Sequence, residues 1–556
     1  MTQRMLRTMA LALAGTALGA EAAADSMFRT PQLLEAWCFQ TPESGGGAPA
    51  AEAAGPPVLL EGLGTSGIVP DTANDEARRW FDQGVRLIWA FDEVEAIRAF
   101  GEAQRLDPNC SMCFWGEAWA RGPTINLQPR TPELAAARAA SERAVSMSRR
   151  LPERERRLVR AMRQRIGKEE FRNDRYALAM ERLAERYPED DAISVIAADA
   201  RMVAADRLEQ GSLPQRLLER VMARSPDHSG AIHMYIHLTD WIDRQDLAER
   251  PAERLGRVAP AASHLVHMPS HTFYGIGRYE DAAAVNVRAI AADKAFVERV
   301  RPAASDYRTG LLAHNMHFAM NSALMRGDGA TALSVAEQFR RGYLQGPIQP
   351  RVRLTGSAVW YSQGLHAAPE AVLAIADPGE DQVLFRTLRH YARGEALARR
   401  GNAAAVRDEA KAIADILAGP QAPQIGNRAG TILAGIAQNV LEGRAAMLAG
   451  DHRAAETAYR AAMEKQVAAS FGADPPLWWY STRRSLAAAL LAAGNAADAR
   501  EQLVASLEVW PNDPLALYAL SLAEKSLGNA SASADALRRA RVGWQGDVTQ
   551  MPLARI

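Results

Sequence analysis

The chain reads as an all-α protein, a solenoid of antiparallel helix pairs, on three observations. First, His233-Met-Tyr-Ile-His237 is echoed 34 residues later by His267-Met-Pro-Ser-His271, and a fixed period of that length marks stacked helical hairpins. Second, small residues recur where paired helices must touch and a proline closes the second helix: Gly84, Ala96, Phe100, Ala103 and Pro108 in the first hairpin. Third, Gly277-Arg-Tyr279, Gly327-Asp, Gly401-Asn, Gly450-Asp and Gly494-Asn punctuate the remainder as turns between helices. A length of 556 residues would by itself suggest three or four domains. A repeat array escapes that count, because each repeat packs only on its neighbours.

In chain order, residues 1–24 read as a signal peptide. Arg4 and Arg7 precede the apolar run Met9 to Leu18, and Ala20-Glu-Ala22 or Ala22-Ala-Ala24 offers the cleavage site. No later run of about twenty apolar residues follows, so the expectation is a periplasmic or secreted protein with no membrane span once the signal is removed. Residues 25–70 form an N-terminal segment, with Trp37-Cys38-Phe39, and a Gly/Pro/Ala-rich linker from Thr41 to Pro57; order is expected to resume near Pro70-Asp71. Repeats carrying the histidines occupy 71–345. Residues 346–556 are C-terminal repeats whose His366, His390 and His452 stand isolated. The net charge is zero and the basic residues are dispersed, with Arg149 to Arg163 a solvated face, so no nucleic-acid partner is expected.

Seven of the eleven histidines fall on three successive repeats. His264, His267 and His271 stand at i, i+3 and i+7, one helical stripe; His233 and His237 precede it by one period; His314 and His317 repeat the first two offsets after fifty residues. Over residues 71 to 540 the chain resembles the tetratricopeptide superfamily. That resemblance implies a right-handed superhelix of antiparallel helix pairs whose first helices line a concave groove. It assigns His264, His267 and His271 to groove positions 2, 5 and 9, His233, His237 and Asp240 to 5, 9 and 12, and His314, His317 and Asn321 to 2, 5 and 9. All seven imidazoles are then expected to point into one cavity.

Imidazoles spaced i, i+4 on neighbouring helices can converge on one cation. His233, His237, His264, His267, His271, His314 and His317 are the expected ligands of a transition metal. Histidine-rich, carboxylate-poor surroundings suit copper, zinc and, less well, iron, and export with the nearby Met112, Cys113 and Met268 tilts the expectation to copper. Seven imidazoles suffice for two ions with three ligands each. His233-Met-Tyr-Ile-His237 lacks the glutamate of HExxH, which disfavours a zinc protease. Ser270 beside His271 lacks the strand–turn–helix elbow of a serine hydrolase. Pro269 inside the stripe is expected to kink or restart its helix.

Accessory ligands are Asp240 and the group Cys110, Met112, Cys113 and Glu117. Cys110-Ser-Met-Cys113 reads either as a soft ligand or redox pair, or as a small disulfide or buried cysteines, which export permits. Phe114 stands where haem attachment requires His. Glu117, at an inward position, reads as a buried carboxylate needing a partner such as an arginine.

Asp107-Pro-Asn-Cys110-Ser-Met-Cys113-Phe-Trp-Gly116, the two histidine motifs and His314-Asn-Met-His317-Phe together resemble a family of exported bacterial tetratricopeptide proteins carrying HxxHMPxH. The resemblance implies further histidines just before the first repeat and an Asn-His after its first helix. Here those places read Gly64-Thr-Ser-Gly-Ile68 and Phe91-Asp92-Glu93, so ligands there are lost or replaced by Asp92 and Glu93. The functional expectation is an exported copper-dependent oxidoreductase acting on a small molecule or peptide in the groove. The alternatives are a non-enzymatic scaffold for a peptide or protein partner, and a periplasmic metal-handling protein.

Overall fold

The computed structural model describes residues 55–127, 131–303, 306–345, 350–469 and 474–556. The expected signal peptide, Cys38 and most of the expected linker lie outside these residues. Helices and short turns account for the fold; among the described residues the one bridge pairing is Ile166 with Phe171, and no helix is long and apolar enough to cross a membrane.

Two compact units are distinguished. Of the described residues, 276–283 and 316–556 belong to one unit, and 55–275 together with 284–315 to the other.

The N-terminal unit begins with α1 (Asp75–Trp89), α2 (Glu93–Leu106), α3 (Ser111–Ala120), α4 (Thr131–Met147), α5 (Glu153–Arg165), α6 (Asn173–Arg186), α7 (Asp191–Ala204) and α8 (Leu213–Arg224), each packed on the next. The histidines come after these, on α9 (Ser229–Trp241), α11 (Ser263–His267) and α12 (Pro269–Gly275), with α10 (Glu249–Val258) between; α13 (Tyr279–Val300) and α14 (Asp306–Met325) supply residues to both units. Short polar residues start the helices by taking otherwise unpaired N–H groups: Asn74 Oδ1 accepts from Glu76 and Ala77, and Asp190 Oδ1 from Ile193. Phe100 of α2 is wedged between Gly84 and Gly116. A Cβ at those glycines would lie 2.6 and 2.3 Å from its ring, so Gly84, expected at a helix contact, and Gly116 permit the close helix approach.

The C-terminal unit continues through α15 (Gly329–Tyr343), α16 (Pro350–Arg353), α17 (Ser357–His366), α18 (Pro369–Leu373), α19 (Val383–Arg399), α20 (Ala403–Ala418), α21 (Arg428–Leu448), α22 (His452–Ala469), α23 (Thr482–Ala492), α24 (Ala496–Val509), α25 (Pro514–Ser526) and α26 (Ala530–Gly543). The turn glycines at 277, 327, 401, 450 and 494 all have φ between 71° and 85°, a conformation glycine adopts without a Cβ penalty. Arg484 and Asp513 form a fully buried ion pair at 3.0 Å, and Asp513 also caps α25.

Residues 58–70 correct the expected resumption of order near 70. Leu60, Leu63 and Ile68 are buried. The Gln83 side chain accepts from Leu60 N at 2.6 Å and donates to Val58 O at 2.9 Å. Three spaced apolar residues and one carboxamide dock this stretch, which follows the expected linker.

Candidate metal centre

Pro269 has no N–H to donate, and the helix breaks there as expected: α11 ends at His267 and α12 starts at Pro269. The break falls between His267 and His271, whereas the stripe divides between His264 and His267 of α11. His264 joins His233 and His237 in one trio whose ligand atoms lie within 4.8 Å of one another; His267 and His271 join His314 in a second. In repeat terms each trio takes positions 5 and 9 of one hairpin and position 2 of the next. The trios are neighbours, with ring centroids 6.0 Å apart for His264 and His267 and 6.1 Å apart for His237 and His271.

In the first trio, His233 Nδ1 lies 2.7 Å from Trp89 O. A carbonyl only accepts, so Nδ1 carries the proton and Nε2 is a bare lone pair. The Nε2 atoms of His237 and His264 each stand 3.0 Å from that single lone pair, which can accept one good hydrogen bond. His264 Nδ1 is buried and has no hydrogen-bond partner among the described residues. Trp89 is held by Gly230 of α9, where a Cβ would lie 2.6 Å from the indole, and by an edge contact with Trp119 at 5.0 Å. Phe91, at φ 53°, covers the trio with ring centroids 4.5, 5.8 and 5.4 Å from His233, His237 and His264.

The second trio is more sharply defined. His267 Nδ1 donates to Asn286 Oδ1 at 2.7 Å, and Ser270 Oγ lies 3.3 Å away. His271 Nδ1 faces Asp240 Oδ2 at 3.5 Å, longer than an ordinary hydrogen bond, so the preference for N–H on that side is electrostatic. Both Nε2 atoms are then lone pairs, and they face each other at 2.9 Å. A shared proton or a cation resolves such a contact. Burial works against the proton: it pushes His267 far below the usual imidazole range, with the neighbouring imidazole of His271 adding to the effect. Burial likewise pushes His233 down to about 3 and holds His237 and His264 far below their ordinary values. Neutral imidazole is the form that ligates metal.

Six of the seven predicted imidazoles are thus brought together. His317 is the exception. It is buried in the C-terminal unit and its Nε2 meets the Asn321 Nδ2 at 3.2 Å, while Asn321 also donates to Pro476 O at 2.8 Å. Position 9 of that hairpin is an amide, so the pairing that builds the other two sites is closed by a hydrogen bond. Asp240 is placed behind His271, not among the trio ligands that include His314. Cys110 and Cys113 form a disulfide, fully buried; their thiolates are consumed, and the soft-ligand reading of Cys110, Met112 and Cys113 is withdrawn. Glu117 pairs with Arg121 at 2.9 Å and accepts from Gln104 at 2.8 Å, the structural role an inward carboxylate requires. Asp92 caps α2 and pairs with Arg308 at 2.6 Å. Sequence reasoning missed Trp89, Phe91 and Asn286. The first acts through a main-chain oxygen and the last from 19 residues downstream, and neither leaves a periodic trace.

No protein-family model matches the chain, and no curated protein matches it by sequence. Among solved structures, the human IFIT1 dimer with m7Gppp-AAAA aligns at 15% identity over 85% of this chain and 91% of that one, with a TM-score of 0.28. The Naa15/Naa10 assembly bound to HypK-THB aligns at 12% identity over 86% and 90%, with a TM-score of 0.20. Scores this low carry no argument about function. Among the described residues the chain is an all-α array of successively packed helices, and its histidine cluster has to be read from its own geometry.

Proposed function

We propose that this protein is an exported metalloprotein that binds two transition-metal ions in adjacent three-histidine sites, His233/His237/His264 and His267/His271/His314, and that copper is the metal. The observation that carries the reading is the 2.9 Å approach of the His267 and His271 Nε2 atoms while Asn286 Oδ1 accepts from His267 Nδ1 and the Asp240 carboxylate lies 3.5 Å from His271 Nδ1. Nε2 separations of 2.9–3.0 Å subtend roughly 90° at a metal bonded at about 2.0–2.1 Å. That angle suits tetragonal copper(II) better than tetrahedral zinc. Asn286 and Asp240 are the outer partners that orient ligating imidazoles. Three protein ligands per ion leave coordination positions for oxygen or a substrate, which supports an oxidoreductase acting on a small molecule or peptide.

The test is elemental analysis with stoichiometry on protein purified without an affinity tag and on chelated protein reloaded with copper, zinc or iron(II). Two ions per chain, copper retained most tightly, is the expected result. Protein that takes up less than half an equivalent of each metal would overturn the reading and leave a binding scaffold in its place.

A further inference from the structure

A cavity of about 80 Å³ opens beside the first trio, with His264 and Phe91 in its wall. Part of the lining is hydrocarbon, from Leu87, Phe296 and Leu311; part is acidic, from Asp92, Glu93, Glu95 and Asp293; among the described residues Arg308 is the one guanidinium in the wall. The acids are not equivalent. Arg308 reaches Asp92 at 2.6 Å and Asp293 at 3.5 Å, with its guanidinium 4.4 Å over the Phe296 ring. Arg98 pairs with Glu95 at 2.8 Å.

Glu93 is left over. It is 6% exposed, forms no ion pair among the described residues, and its Oε1 is buried without a hydrogen-bond partner. Burial, with the nearby charges of Asp92 and Asp199 acting the same way, raises this carboxyl to about 8. A buried polar atom without a partner is costly. A ligand that brings both a cationic N–H donor and apolar surface answers both halves of the wall.

We infer that this cavity binds a small primary amine with a hydrocarbon body, its ammonium group on the Glu93 carboxyl and its body against Leu87, Phe296 and Leu311. The inference deepens the metal reading by naming the class of molecule presented to the first histidine site, and for that role it rests on it. The binding itself does not need the metal.

The experiment measures benzylamine, benzyl alcohol and benzoate binding by calorimetry to the full chain, in metal-free and copper-loaded forms. Benzylamine is expected to bind one per chain in both forms, benzyl alcohol about tenfold or more weaker, and benzoate not at all. Glu93→Gln should weaken benzylamine by about tenfold or more and leave benzyl alcohol unchanged, and Leu311→Trp should abolish both by filling the cavity. Circular dichroism melts establish that each variant is folded; the three-probe comparison on the unmodified chain needs no variant. Equal affinity for amine and alcohol, no amine binding, or amine binding indifferent to Glu93→Gln would overturn the inference. Amine binding that persists in a protein unable to hold metal sinks the metal reading alone. Copper uptake without amine binding sinks this inference alone.

Discussion

The two histidine trios repeat one construction, their i, i+4 pairs 34 residues apart and their third ligands 50, yet they differ in what holds the far side of each ring. In the first, the orienting acceptor of His233 is the Trp89 carbonyl, and Phe91 lies across all three imidazoles. In the second, the acceptors are the side chains of Asn286 and Asp240. The backbone register supplies the ligand pair in both cases. What tunes the pair is main chain and aromatic surface on one side, polar side chain on the other. A carbonyl cannot be removed by substitution, so the second site is the adjustable one.

The largest expected effect separates the sites. His233→Ala with His237→Ala should remove one metal equivalent per chain and spare the other, and His267→Ala with His271→Ala should do the reverse; loss of both equivalents from either double variant, read by elemental analysis, would mean a single shared ion. Next, Asn286→Ala deprives His267 of its acceptor and should weaken metal at the second site alone by roughly 10–100-fold in a chelator competition. Asp240→Asn keeps an oxygen near His271 and should cost less, because its contact is already 3.5 Å.

Acid should affect both trios of the metal-free protein in the same direction. His233 is lowered to about 3 and His267 far below its ordinary value, so below pH about 6.5 the unfolded chain takes up protons that the folded chain refuses. Stability is therefore fully present above that pH and lost as pH falls toward 3. Melting temperatures should be level from pH 8 to 7 and decline below about 6.5, with a shallower decline once His233 and His237 are replaced by Gln. The smallest effect is Phe91→Leu, which removes ring contacts at the first trio only. About 1 kcal/mol of stability should go, with second-site affinity unchanged; a change in second-site affinity would show that the two sites are coupled.

Much of this was legible beforehand. The 34-residue echo placed His233 and His267 at equivalent positions, and Pro269 announced a break in the stripe. The sharing was not legible. Sequence periodicity groups His264 with His267 and His271, because they lie on one stretch, whereas stacking hands His264 to the hairpin before it. His317 looked equivalent to His233 and His267 until Asn321, four residues on, proved to close its Nε2. Order in the stretch at 58–70 was not legible, because it has no helical periodicity and its docking depends on Leu60, Leu63 and one glutamine on a later helix. The CxxC reading stayed open because spacing alone fits a disulfide as well as a ligand pair.

Each trio draws on two hairpins, His233 and His237 with His264, then His267 and His271 with His314. An ion seated in either one would act as a rivet across a seam that is otherwise held by side-chain packing and a few polar contacts. Loading would then change the elasticity of this stretch of the solenoid, and the spacing between consecutive hairpins would become a gauge of how much metal the chain carries.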